Sequence, residues 1–146
     1  MKGFKNVKAY VEGKGVITTD IGIENGKIAF IQENSGKITE PFNVKEGEIV
    51  VPGFIDEHIH GAAGADAMDG TTDALGKIAN AVAREGTTAF LATTMTQSPE
   101  NITAALKAVN EYINENRKDG AEILGVHLEG PFINPAMCGA QRKDLV

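Results

Sequence analysis

Cysteine is almost absent from this chain: Cys138 stands alone among 146 residues. An internal disulfide is therefore excluded, and a reducing compartment fits. Clustered positive charge is missing too. The 14 lysines and arginines are scattered and are outnumbered by 20 acidic residues, for a net charge of −6, so no basic face is laid out for nucleic acid. No segment nears the roughly 20 apolar residues of a membrane helix. The start, Met1-Lys2-Gly3-Phe4-Lys5-Asn6, has no apolar run behind it, so no signal peptide is expected. These absences lead to the expectation of a soluble cytoplasmic protein. What is present is a composition that folds, 42% hydrophobic and 23% charged, at a length suited to one ordinary domain. Histidine is scarce, with three in all, and two of the three fall in one tripeptide.

Residues 1–50 read as β structure. Val16 to Glu24 is rich in β-branched residues. Asn25-Gly26 then gives a two-residue hairpin signal, since both positions tolerate positive φ. Lys27 to Gln32 is the return strand, Asn34-Ser35-Gly36 a second turn, and Glu48 to Val51 a further short strand. After Gly53 the rhythm changes to strand, helix, strand, helix, strand. Phe54 to His60 is the first strand, followed by a loop of small residues from Gly61 to Gly70. Thr71, Thr72 or Asp73 can cap the next helix, whose stripe is Leu75, Ile78, Ala79, Val82 and Ala83, with Gly86 at its end. Thr87 to Thr94 is the second strand. Ser98-Pro99 starts a second helix with Ile102, Ala105, Leu106, Val109, Tyr112 and Ile113 on one stripe, broken at Asp119-Gly120. Ile123 to Leu128 is the third strand. Alternating units with nearly continuous apolar strands predict an α/β fold, a parallel sheet covered by helices.

Chemistry concentrates at two strand ends. In an extended strand alternate side chains share a face, so His58 and His60 project together and can grip one transition-metal ion. The plain alternative is two polar residues at the end of a strand. His127 and Glu129 repeat the pattern on the third strand. Two imidazoles and a carboxylate make a ligand set for zinc or iron, which makes Glu129 the leading ligand candidate; the alternative for it is a solvated or capping residue. For His127 an orienting or packing role is favoured over ligation. Asp56 shares parity with the histidines, one step deeper, where it can accept a bond from an imidazole N–H or from backbone. Asp66 and Asp69 are read as turn and cap residues.

The string Val51-Pro-Gly-Phe-Ile-Asp56, then His58-x-His60-Gly61, after an Asn-Gly-Lys hairpin, resembles the metal-dependent amidohydrolase superfamily. Gly61-x-x-Gly64-x-Asp66-x-Met68-Asp69, Thr87-Thr88 and His127-Leu-Glu129-Gly-Pro-Phe132-Ile-Asn134 narrow the likeness to its N-acetylglucosamine-6-phosphate deacetylases. The likeness runs through essentially the whole chain. It implies an incomplete (β/α)₈ TIM-type barrel, residues 51–146 giving its first three strands and two helices, preceded by a small β-sandwich-like segment at 1–50. It implies a divalent metal, zinc or iron, as one or two ions, with Glu129 the central ligand and His58 and His60 at a further metal position. It implies an amino-sugar phosphate substrate contacted by Ala140 and Gln141, with His127 and Asp56 behind the ligands, and a homodimer for the complete enzyme.

A complete barrel takes about 250 residues. The resemblance also calls for two more histidine ligands, a catalytic aspartate and phosphate-binding groups, all expected beyond Val146. The catalytic base is therefore unassigned here, and the expectation is an N-terminal portion of a deacetylase, inactive alone and weak in holding metal. Two other readings stay open: an amidohydrolase acting on a cyclic amide or ureide, and a non-catalytic domain that only binds metal.

Overall fold

The computed structural model describes residues 1–146. The chain divides into two compact units, Met1–Pro52 and Gly53–Val146.

In the first unit, β1 (Lys2–Val11), β2 (Gly15–Glu24), β3 (Lys27–Gln32) and β4 (Glu40–Pro41) form one sheet in the order β3-β2-β1-β4. β2 runs antiparallel to both of its neighbours, and β4 adds to β1 in parallel. The β2–β3 turn has Asn25 and Gly26 at φ 51° and 73°, the doubly positive turn that matches strand twist. The arrangement differs from expectation in two places. The four strands make a single sheet rather than a sandwich. Glu48 to Val51 is not a strand: Val50 forms one isolated bridge with Ala9, its amide donating to Lys8 O at 2.8 Å and its carbonyl accepting from Tyr10 N at 2.9 Å. The segment is boxed in. A turn precedes it, with Glu48 N donating to Lys45 O at 3.1 Å, and Pro52 has no N–H to extend a ladder.

Asp20 organises this unit. It lies inside β2 and is only 4% exposed. Its carboxylate accepts from Asn6 N at 2.7 Å, Ser35 N at 2.9 Å and Ser35 Oγ at 2.8 Å. Asn6, at φ 51°, sits at the bulge where β1 slips register between Phe4 and Val7. One buried carboxylate thus pins a bulge and the turn after β3. The Asn6 amide first, then the Ser35 hydroxyl, hold its pKa below the usual carboxylate range. A depressed folded-state value supplies stability above the ordinary carboxylate range, lost as pH falls through the folded value. The amides of Asn6 and Ser35 are therefore expected to lose protection from hydrogen exchange on acidification below that range. In Asp20→Asn they should exchange fast already at neutral pH; slow exchange in the variant would remove this role.

The second unit contains β5 (Phe54–Ile59), the short pair β6 (Gly61–Ala62) and β7 (Ala65–Asp66), α1 (Thr72–Arg84), β8 (Thr87–Thr93), α2 (Pro99–Asn114) and β9 (Glu122–His127). The sheet order is β5-β8-β9, and both pairings are parallel. Each helix starts where its chemistry allows. Thr71 Oγ1 accepts from Ala74 N at 3.2 Å, and Ser98 Oγ accepts from Asn101 N at 3.3 Å with Pro99 in the first turn. Gly86 takes φ 92° in the turn after α1. α2 ends earlier than Asp119-Gly120, because Asn116 already turns left-handed at φ 50°. Most of the expected helix stripes pack, with Leu75, Ile78, Val109 and Tyr112 closing on Phe90, Ala92 and Ile123 of the sheet. Ala83, Leu106 and Ile113, expected on the same stripes, are exposed because they lie at the margin of each packed face. Phe90 is fully buried, worth about 1.5–3 kcal/mol for its side chain. By contrast Phe54, Ile55 and Leu124, on the two edge strands, stay 65%, 61% and 52% exposed.

Candidate metal centre

The C-terminal ends of β5 and β9 bring together three side chains far apart in sequence. His58 Nε2 lies 3.0 Å from Glu129 Oε2, His60 Nε2 lies 3.1 Å from the same oxygen, and the two imidazole nitrogens are 3.3 Å apart. β5 and β9 do not pair with each other; each pairs with β8. The triangle therefore depends on β8 as a spacer, which sets both strand ends at one level. Gly61 lets the chain bend close behind the pair, since a Cβ there would lie 2.1 Å from Ala65 O.

The two imidazole nitrogens lie in hydrogen-bond geometry with each other, but the carboxylate oxygen does not share in it. Although two nitrogens approach within ion-pair distance of Glu129 Oε2, this buried oxygen has no partner in hydrogen-bond geometry. Buried polar atoms are normally partnered, so the unbonded carboxylate oxygen facing two imidazole nitrogens calls for a cation between them. A tetrahedral divalent ion with bonds of about 2.0–2.1 Å sets its donors about 3.3–3.4 Å apart. The observed separations of 3.0, 3.1 and 3.3 Å come close to one face of such a tetrahedron. The donor set, two imidazoles and a carboxylate, also suits a borderline divalent ion. On distance, burial and chemistry the three residues fit a metal ion.

The surrounding residues hold these donors. Asp56 Oδ1 accepts from His58 N at 3.0 Å, so it steadies the backbone rather than an imidazole. His127 Nδ1 is 3.0 Å from Glu57 O, a bond that needs the proton on Nδ1. Its ring packs 4.5 Å from the His58 ring, centre to centre, and it stays outside the three-donor group. Glu129 N donates to Thr94 Oγ1 at 3.2 Å. Ala140 is exposed and Gln141 half-buried; the Gln141 amide donates to Glu129 Oε1 at 2.6 Å. Nothing in the spacing of residues 129 and 141 signals this last contact. The roles of Thr94 and Thr96 were equally invisible, since a threonine at a strand end carries no motif. Asp66 and Asp69 do what a loop position suggests: Asp66 Oδ1 accepts from Met68 N at 2.8 Å and Asp69 Oδ2 from Asp66 N at 2.9 Å. They cap the short turn Ala67–Asp69, not α1.

A donor group of this kind, at the C-terminal ends of parallel strands with helices against the sheet, defines the class in which the chain falls. Residues 49–146 match the amidohydrolase family, and the chain belongs to that family. It is 38% identical to an N-acetylglucosamine-6-phosphate deacetylase of Bacillus subtilis, over 97% of this chain and 37% of that protein. It is 39% identical to an N-acetylgalactosamine-6-phosphate deacetylase of Escherichia coli O157:H7, over 84% of this chain and 31% of that protein. The crystal structure of N-acetylglucosamine-6-phosphate deacetylase from Thermotoga maritima superposes with a TM-score of 0.79 at 33% identity, covering 98% of this chain and 36% of that one. The chain thus spans about a third of the length of these relatives.

Gly130 locks the Glu129 end of the site. It sits at φ 68°, and a Cβ there would come within 2.0 Å of Thr96 Oγ1. Gly130→Ala must both adopt a left-handed backbone and displace Thr96. It is expected to lower unfolding stability by roughly 1–3 kcal/mol, read by urea denaturation. A loss under half a kilocalorie would mean that Thr96 moves aside freely.

Proposed function

We propose that residues 1–146 are the N-terminal part of a metal-dependent deacetylase that hydrolyses the acetamide of an N-acetylhexosamine 6-phosphate, N-acetylglucosamine 6-phosphate first, giving the free amino sugar phosphate and acetate. The observation that carries this is the buried, unbonded Glu129 Oε2 set between the Nε2 atoms of His58 and His60. The sequence relatives named for this reaction support it. In this reading residues 1–50 belong to a small β domain and residues 51–146 open a (β/α)₈ barrel. The edge positions of β5 and β9 and the exposed Phe54, Ile55 and Leu124 support the barrel, since both edges await neighbours that closure provides.

Glu129, His58 and His60 are assigned as ligands of zinc or iron, Glu129 centrally, with room in the reading for one ion or two. Such an ion, when bound, supplies Lewis acidity toward the acetamide carbonyl and lowers the pKa of a water. The residues of this chain bind and orient. His127 fixes the His58 ring by packing, and Asp56 fixes its backbone. The sugar contact expected of Ala140 and Gln141 falls mainly to Ala140, because the Gln141 amide is already committed to Glu129. No carboxylate here is assigned as the general base: Asp56 is occupied with the His58 amide, and Asp144 pairs with Arg142. That group is assigned to a part of the enzyme outside residues 1–146. The reading carries with it a cytoplasmic enzyme that is dimeric when complete. The structure has no helix long and apolar enough to cross a membrane.

Titration calorimetry with zinc tests the ligands. His58→Ala and Glu129→Ala are each expected to weaken binding at least 10-fold; equal affinity in all three chains would remove the assignment. Acetate release tests the substrate. Residues 1–146 alone should give none, and turnover at ordinary enzyme rates would show that the missing groups are present after all. Joined to the C-terminal two-thirds of the Bacillus subtilis relative, the chain should release acetate from N-acetylglucosamine 6-phosphate. A folded, metal-loaded chimera that releases none from it overturns the substrate.

A further inference from the structure

The carboxylate of Glu129 is held asymmetrically. Its Oε1 accepts from Gln141 Nε2 at 2.6 Å, while Oε2 faces the two histidines with no hydrogen bond. A bond this short to a carboxylate is of the strong, charge-assisted kind. Gln141 is itself fixed at its other end: its Oε1 accepts from Thr96 N at 2.9 Å. Both heavy atoms of the amide group are thereby committed, and its orientation is set, because a flipped amide would point a donor at the Thr96 N–H and an acceptor at the carboxylate. The loop that delivers Gln141 is anchored as well, with Gln141 N donating to Cys138 O at 3.0 Å and Cys138 only 5% exposed.

We infer that Gln141 is a positioning residue that makes Glu129 a one-oxygen donor. The inference rests on the metal site proposed above and adds to it the denticity of its carboxylate. A carboxylate free to rotate can offer a metal either one oxygen or two. With Oε1 tied to Gln141, and through it to the Thr96 backbone, the carboxylate is held with Oε2 turned toward the ion, and rotating Oε1 to join it strains the Gln141 bond. Partners of this kind behind a metal ligand commonly contribute 10–100-fold to affinity. Gln141 also lies next to Ala140, in the loop assigned to the sugar. It therefore couples that loop to the metal ligand: a shift of the loop on one side changes the set of the carboxylate on the other.

The test uses the 146-residue chain with Co²⁺ as the probe, because the intensity of its visible absorption falls as coordination number rises. Gln141→Met keeps the length of an unbranched side chain but has no donor; Gln141→Ala removes the side chain. Circular dichroism selects the variant that folds. The expected result is a Co²⁺ affinity about 10-fold weaker, together with a weaker visible band as Glu129 turns to offer both oxygens. A spectrum identical to that of the unaltered chain overturns the inference, whatever happens to affinity, since a merely structural role for Gln141 would leave the band intact. Failure of the unaltered chain to bind Co²⁺ at all overturns the metal site itself, and the two failures are thus told apart.

Discussion

Three polar atoms brought to within 3.3 Å of one another, one of them a carboxylate oxygen without a hydrogen bond, are a costly arrangement unless something positive sits among them. Much of the second unit exists to impose that arrangement. The two histidines come from one strand end and the glutamate from another, and the two strands do not pair with each other. What holds them at the same level is β8 between them, and β8 is held by the packing of α1 and α2 on Phe90 and Ala92. Side chains from the core thus decide the position of polar atoms at the rim. Interiors packed to crystal density transmit small shifts instead of absorbing them. A core change under β8 therefore reaches the site without touching a ligand.

The donors are held by different means. His58 is steadied by the Asp56 carboxylate below it and by the His127 ring beside it. Glu129 lies beyond the end of β9, where no ladder constrains the backbone. Its restraints are side chains: Thr94 on its amide and Gln141 on its carboxylate. The strand supplies geometry for His58, with His60 one residue past its end, and the loop must supply it for the glutamate. That difference accounts for the density of polar contacts around residues 129–141. It also accounts for Gly130, whose missing side chain lets Thr96 approach.

How far the sequence alone reveals this follows the range of each interaction. The β2–β3 turn was legible from Asn25-Gly26, and the helix starts from Thr71 and Ser98-Pro99, because caps and turns are decided within a few residues. The helix stripes were legible because period implies a face. The histidine pair was legible as a pair, since strand geometry makes neighbours of alternate residues. The strand expected at Glu48–Val51 was not sustained, because apolar β-branched content describes a preference, while pairing needs a partner edge and free N–H groups. β1 is hard to single out from sequence because its buried positions are Gly3, Val7 and Ala9 and a bulge interrupts it between Phe4 and Val7. The Asp20 clamp and the Gln141 clamp were hidden for one reason. Each joins residues 12–15 positions apart, and the Gln141 clamp also reaches Thr96, 45 positions away; no periodicity links polar groups over such distances.

The two clamps share a physical design. In each, a carboxylate oxygen is held by a donor from a separate segment, and a residue with unusual backbone geometry lets segments meet: Asn6 at the β1 bulge, Gly130 beside Thr96. The consequences differ. Asp20 has all its bonding directed inward, so it acts only as a brace, and its energy goes into the fold. Glu129 has one oxygen braced and one withheld. A buried acceptor left unsatisfied costs free energy that the fold must offset elsewhere, and such a cost is retained where a ligand recovers it. The same functional group, a carboxylate, therefore marks structure in one unit and chemistry in the other. What separates them is whether the second oxygen has a partner within the chain.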